Sequence, residues 1–265
     1  MTNHTLKIKI LVEGDIMEKG ISLATKIIEK SLDENTMLDI EMLSKEAKSY
    51  HIQEIDFKSE LGKLLSNLQE DHLLTIKGYT GLNSKKINAI LRNNWNYEEH
   101  GKKTIEEEQK IRNDISIIDE IISNFPPNNN AFMTYRGTTL QSFKKYGINS
   151  LEDLKDLNNK FLYEEGYTST SLMEEQSYYN KEIYGKINNV EIRYIIPPNS
   201  NDGIPLNSSE LSYSPNQQEY LIERYSLSKV IDVKIEGSSA VITVVLIPKT
   251  IWNKQEKADV KEVSK

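Results

Sequence analysis

Near residue 160 the hydrophobic pattern of the chain changes period, from about 3.6 residues to 2, and this switch restricts the fold more than any other property of the sequence. Before it, apolar residues recur at helical spacing. Ile16, Ile21, Ala24, Ile27, Ile28 and Leu32 do so in DIMEKGISLATKIIEKSL, and Leu61, Leu64, Leu65 and Leu68 in SELGKLLSNLQE. NSKKINAILRNNW offers Asn83 or Ser84 as an N-cap ahead of Ile87, Ile90 and Leu91. Thr104 and Glu107 form a capping-box pattern before Ile111, Ile115, Ile118 and Ile122, and NFPPNNN stops that helix. SLEDLKDL predicts one more short helix, capped by Ser150. After the switch, Val190, Ile192, Tyr194 and Ile196 alternate with their neighbours up to Pro197, and KVIDVKI and AVITVVLI read as a hairpin joined by EGSS. AFMTYRG and GYTSTSL read as shorter strands. Helices first and strands later predict an α+β domain and exclude an alternating βαβ fold. Residues 1–50 are expected to be an appended helical piece and residues 51–265 the main domain.

The 265 residues, 37% hydrophobic and 28% charged, can bury a real core, and no stretch reaches the ~18–20 apolar residues of a membrane span. The N-terminus lacks the apolar centre of a signal peptide. There is no cysteine, so disulfides, thiol chemistry and Cys-ligated metals are excluded. His4, His51, His72 and His100 lie far apart with no ligand spacing, so no metal is expected. A net charge of −7 argues against general nucleic-acid binding, which needs a basic face.

Neither a glycine-rich phosphate loop nor a G-x-S-x-G elbow is present. Three strand-end clusters carry the chemistry. In TYRGTT, Arg136 sits inside an aromatic strand, suited either to a phosphate or carboxylate or to an edge-strand ion pair, and Gly137 leaves the backbone open. In GYTSTSL, Ser169 and Ser171 share one face, where a hydroxyl can orient a carboxylate or simply make a strand edge polar. In SYSPNQQEYLIER, Gln217 and Glu219 point to the same side if the chain is extended.

The order Arg, then Ser-Thr-Ser, then Gln-x-Glu resembles the signature of bacterial mono-ADP-ribosyltransferases, and more narrowly the clostridial C-three-like exoenzymes that modify Rho GTPases. The similarity runs over roughly residues 55 to 250. It implies the ADP-ribosyltransferase fold, with N-terminal helices packed on a two-sheet antiparallel β core. It implies NAD as substrate, without a metal. INAILR matches the helix that touches the adenosine and phosphates, which carries over to Asn88 and Arg92. Arg136 and Gly137 then border NAD. Tyr178 and Lys181 take the places of an aromatic and a basic residue that fold over it, Lys181 standing where the family usually has arginine. QQEYLIER matches the turn that carries Gln217 as reader of the protein substrate and Glu219 as catalytic acid. Tyr213 corresponds to the loop's exposed aromatic, four residues before the glutamine instead of three.

The implied reaction breaks the bond between nicotinamide and ribose. The leaving group is already cationic, so help is needed for the oxocarbenium-like sugar, a role for Glu219 held by Ser169. A neutral Gln217 suits a side-chain amide acceptor, Asn or Gln, because it can exchange two hydrogen bonds with one. On this resemblance the chain is a toxin or effector, secreted or injected by a bacterium and acting on a Rho-type GTPase in the host cytosol. A separate binding or translocation component, or an injection route, would deliver it, with residues 1–50 as a docking piece. The alternatives are a NAD glycohydrolase with no protein target and an inactive toxin-like binding protein.

Overall fold

The computed structural model describes residues 32–183 and 186–252. The expected helix through Ile16–Ile28 lies outside them. Asp33 caps α1 (Glu34–Ala47) by accepting from the Thr36 amide at 2.7 Å. Next come α2 (Lys58–Asn67), α3 (Glu70–Gly78), α4 (Ser84–Leu91), the short α5 (Tyr97–His100) and α6 (Ile105–Asn124). The Thr104 hydroxyl accepts from the Glu107 amide at 3.1 Å, so Thr104 caps α6 as expected.

At α4 the expected cap does not form. Asn83 has helical dihedrals and no side-chain cap bond, because α3 runs into α4 through a wide π-type turn, Tyr79–Asn83, broken at Gly81. That turn swings Tyr79 and Thr80 towards the strands.

The strands are β1 (Phe132–Thr138), β2 (Phe161–Glu164), β3 (Thr168–Ser171), β4 (Glu182–Ile183), β5 (Lys186–Ile187), β6 (Val190–Ile196), β7 (Gly203–Pro205), β8 (Glu219–Ile222), β9 (Ser226–Glu236) and β10 (Ser239–Ile247). A last turn, α7, spans Lys249–Trp252. Gly237, at φ +62°, makes the tight turn of the β9–β10 hairpin. SLEDLKDL forms a 3₁₀ turn, Glu152–Leu157, with the Ser150 hydroxyl accepting from the Asp153 amide at 3.2 Å.

The two-sheet antiparallel core expected from the resemblance is instead one eight-stranded mixed sheet in the order β2-β9-β10-β6-β1-β3-β8-β7, with β4–β5 a separate two-stranded ribbon. β10 runs parallel to β6, because the chain leaves β6 to make β7 and β8 before returning through β9. The two parts of the sheet meet at one registered pair, Tyr135↔Ser171. Past that pair the Gly137 amide bonds the Ser177 carbonyl instead of β3, so β1 and β3 part company. This opening seam is where the clusters from the sequence converge.

Helices α2, α3, α4 and α6 cover the β3–β8 side, burying Ile76, Tyr79, Ile87, Ile118 and Ile122 against Phe132, Tyr220 and Leu221. α1 covers the other end, packing Ile40, Leu43 and Ala47 on Phe161, Tyr163, Val245 and Ile247. Lys229, 3% exposed, is ion-paired with Glu41 of α1. Among the described residues no helix is long and apolar enough to cross a membrane.

Candidate active site

A cleft of roughly 500 Å³ opens at the seam. Of the residues singled out in the sequence, Asn88 and Arg92 of α4, Arg136 and Gly137 of β1, Ser169 of β3, Tyr178, Gln217 and Glu219 all line it. Lys181 and Tyr213 are not in its wall. The Lys181 ammonium donates to the Glu175 carbonyl at 2.6 Å and lies over the Tyr178 ring. Tyr213, 66% exposed, rests by the rim, its amide donating to the Thr80 hydroxyl at 3.1 Å.

The β3–β8 register explains the centre of the cleft. Ser171 stands opposite Glu219 and Ser169 opposite Leu221, so Ser169 is the diagonal neighbour of Glu219 on the same face. Burial pushes the Glu219 carboxyl above its ordinary pKa, while a hydrogen bond from the Ser169 hydroxyl and the charge of Arg136 pull the other way. Arg136 also donates to the Ser169 carbonyl at 3.1 Å, which pins it across the seam. Behind Ser169 lies Tyr79, fully buried, whose phenol is pushed up to about 12 by burial and then by the nearby Glu219 charge. Its hydroxyl reaches Ser169 and accepts from the Asn88 amide group at 3.2 Å. Sequence reasoning missed Tyr79, since an aromatic at a helix end looks like any other core residue.

Gln217 and Glu219 share the cleft, but strand alternation is not the reason. Gln217 closes a 3₁₀ turn, Pro215–Gln217, and Gln218 is left-handed at φ +49°, so the chain is not extended there. The turn geometry aims both side chains inward. Ser171 holds this turn by donating to the Gln217 carbonyl at 2.9 Å, and it accepts from the Met173 amide at 3.0 Å.

Arg92 is tied to Glu164 at 2.8 Å, a partner that the sequence did not reveal. Burial would raise the Glu164 carboxyl, but Lys145, Arg92 and Arg136 hold it below the usual carboxylate range, so it is ionised. Asn88 spends its amide on the backbone of Tyr167, accepting from the amide at 2.9 Å and donating to the carbonyl at 3.3 Å. Gly166 makes this approach feasible, because a Cβ there would lie 2.6 Å from the Asn88 Oδ1.

The segment 174–181 folds over the cleft and is seated on Gly137. A Cβ on Gly137 would lie 2.5 Å from the Tyr178 carbonyl carbon and 2.7 Å from the Ser177 oxygen. The segment is anchored from below by Glu191, fully buried, which accepts from the Ser177 hydroxyl at 3.2 Å and from Arg193 at 2.7 Å. Arg193 also bonds Glu174 at 2.7 Å. An acid within an alternating strand was the available sequence signal for Glu191.

The cleft thus offers two guanidiniums and a carboxylate steered by a hydroxyl, a set suited to an anionic ligand that carries a reacting sugar. Among the described residues no group of three or more His, Asp or Glu side chains is placed to hold a metal ion.

Among solved structures, the fold is similar to Plx2a, an ADP-ribosyltransferase toxin from Paenibacillus larvae, at 24% identity and a TM-score of 0.54, covering 77% of this chain and 96% of that one. It is similar to C3stau2 from S. aureus, solved with NAD, at 22% identity and a TM-score of 0.56, covering 75% and 100%. It is also similar to the C3 exoenzyme of Clostridium limosum, at 18% identity and a TM-score of 0.53, covering 75% and 98%. No curated protein sequence matches. The family comparison matches residues 39–253, most of the chain and every residue of the cleft named above, and on that extent the chain belongs to the ADP-ribosyltransferase exoenzyme family.

Proposed function

We propose that the chain is an NAD-dependent protein mono-ADP-ribosyltransferase that transfers ADP-ribose to an Asn or Gln side chain of a Rho-type small GTPase in a host cell. The observation that carries this reading is the juxtaposition at the seam: Glu219 with Ser169 diagonal to it on the same face, Arg136 beside both, and Gln217 two residues earlier on the same cleft. The NAD complex of the structurally similar C3stau2 supports the choice of nucleotide.

On this reading Arg136 and Arg92 receive the diphosphate, and Tyr178 covers the nucleotide. The glycosidic C–N bond breaks with its electron pair going to nicotinamide, which leaves neutral. Glu219 stabilises the positive sugar, an effect of ~3–4 kcal/mol for a preorganised group. The acceptor amide nitrogen then bonds the anomeric carbon and gives its proton to Glu219, whose raised pKa makes it a better base. Gln217 reads the acceptor amide, and Tyr213 offers an aromatic contact at the rim. The protein is secreted or injected by a bacterium, with the residues ahead of α1 as the docking or delivery segment, because α1 itself is part of the core.

Incubation of wild type, Glu219→Ala and Gln217→Ala with labelled NAD and a purified Rho-type GTPase tests the reading. Glu219→Ala loses nicotinamide release and labelling together, whereas Gln217→Ala loses labelling and retains release. Normal labelling by both variants would overturn the site assignment.

A further inference from the structure

Resting on the transferase reading, we infer that Tyr178 is a positioning residue for the protein acceptor: its phenol holds the Gln217 amide in the orientation that receives an acceptor amide. The Gln217 Nε2 donates to the Tyr178 hydroxyl at 2.5 Å, joining the segment that lies over Gly137 to the turn that carries Glu219.

The backbone on both sides of this bond is already fixed. The Gln217 amide donates to the Ser214 carbonyl at 3.0 Å, and its carbonyl accepts from Ser171. The Tyr178 carbonyl accepts from the Lys181 amide at 3.2 Å, the Lys181 ammonium lies 5.5 Å from the ring centre, and Gly137 seats the backbone beneath. Tyr178 is held at φ +63°, a left-handed conformation that a bulky residue adopts only when its surroundings impose it. What remains free at Gln217 is the side chain, whose last torsion has a broad minimum. The Tyr178 bond removes that freedom.

The chemistry of the bond leaves the right groups over. A primary amide has two N–H donors and one carbonyl. With one N–H given to the phenol, Gln217 keeps one donor and one acceptor, which is the complement a second primary amide needs for a two-bond pair. A glutamate acceptor or an arginine would not match that edge. The hydroxyl of Tyr178, beyond its ring over the nucleotide, therefore connects cover of NAD to reading of the acceptor, and a phenylalanine there would provide only the first.

The test is Tyr178→Phe, which keeps the ring. Labelled GTPase and released nicotinamide are measured in the same reaction at saturating NAD, and their ratio cancels any change in NAD cleavage. The ratio is expected to fall by about 5- to 10-fold, the usual loss for one hydrogen bond, through a higher KM for the GTPase. An unchanged ratio, whatever happens to the KM for NAD, would overturn the inference. The side-chain amide resonances of Gln217 provide a readout independent of turnover: they shift in Tyr178→Phe, and unshifted resonances would overturn the bond itself. A wild-type protein that releases nicotinamide but labels nothing would instead sink the transferase reading, with the resonances still reporting the bond.

Discussion

Replacing Ser169 by alanine separates two functions that one residue performs at the seam. The hydroxyl lies diagonal to Glu219 on the same face and lowers its pKa, while the main-chain carbonyl accepts from Arg136 at 3.1 Å. Alanine removes the first and keeps the second. A hydrogen bond to a charged group contributes roughly 1.5–3 kcal/mol, and about 1.4 kcal/mol is a factor of ten, so NAD cleavage should slow by about 10- to 150-fold. The loss should fall on kcat, because the anchored Arg136 and the phosphate contacts assigned to it are untouched. A second effect has a definite sign. The Ser169 bond lowers the Glu219 pKa against the larger upward push of burial, so its loss moves that pKa further up. The proposed reaction uses the ionised carboxylate, and the acid limb of the kcat/KM profile should therefore shift to higher pH. The assay is nicotinamide release across pH for wild type and variant, with NAD varied at each point. A variant whose KM rises while kcat and the acid limb stay in place would refute the reasoning, since it would mean that Ser169 acts through Arg136 and not through Glu219.

Gly137→Ala should dislodge the segment over the cleft, because its Cβ would collide with main-chain atoms of Ser177 and Tyr178; the expected result is weaker NAD binding by titration, with the thermal midpoint nearly retained. Glu223 has its pKa raised to about 7 by burial, despite its Lys249 partner at 2.6 Å. The folded state therefore prefers the proton between the ordinary value of 4.5 and about 7, and stability should fall as pH rises through that window, by roughly 3 kcal/mol in all. Melting curves of Glu223→Gln should show a shallower decline over the same range, and parallel curves would contradict the assignment. Deleting residues 1–50 removes Ile40 and Leu43 from the core, worth about 3–6 kcal/mol, and strips Lys229 of its partner, whereas a cut before Leu32 leaves α1 in place. Denaturant unfolding of the two truncations distinguishes them, and a docking role for the N-terminus is best examined with the shorter one.

Much of this architecture was legible in the chain itself. Period and caps located α2, α6, β1, β3, β6 and the β9–β10 hairpin, because hydrophobic spacing, cap residues and turn residues are local signals. The Arg, Ser and Gln-x-Glu clusters were readable through the family pattern of their order, since Arg136 and the serines alone also suited a plain structural role. Other features lay beyond pattern. The junction of α3 and α4 could not be foreseen, since a π-type turn at Tyr79–Asn83 mimics the polar composition of a cap. Glu164, Glu191 and Tyr79 carry no motif. Their partners Arg92, Ser177 and Ser169 are distant in sequence, so only folding brings the pairs together.

The sequence by itself determined the helix-then-strand order, the absence of thiol chemistry and the residue types that line the cleft. Tertiary structure decided how those residues face one another. The sheet's two parts join through Tyr135 and Ser171, and the Gly137 amide turns away to Ser177. Because hydrogen bonding between β1 and β3 stops there, a gap opens at that point, and charge, hydroxyl and amide can be concentrated in it.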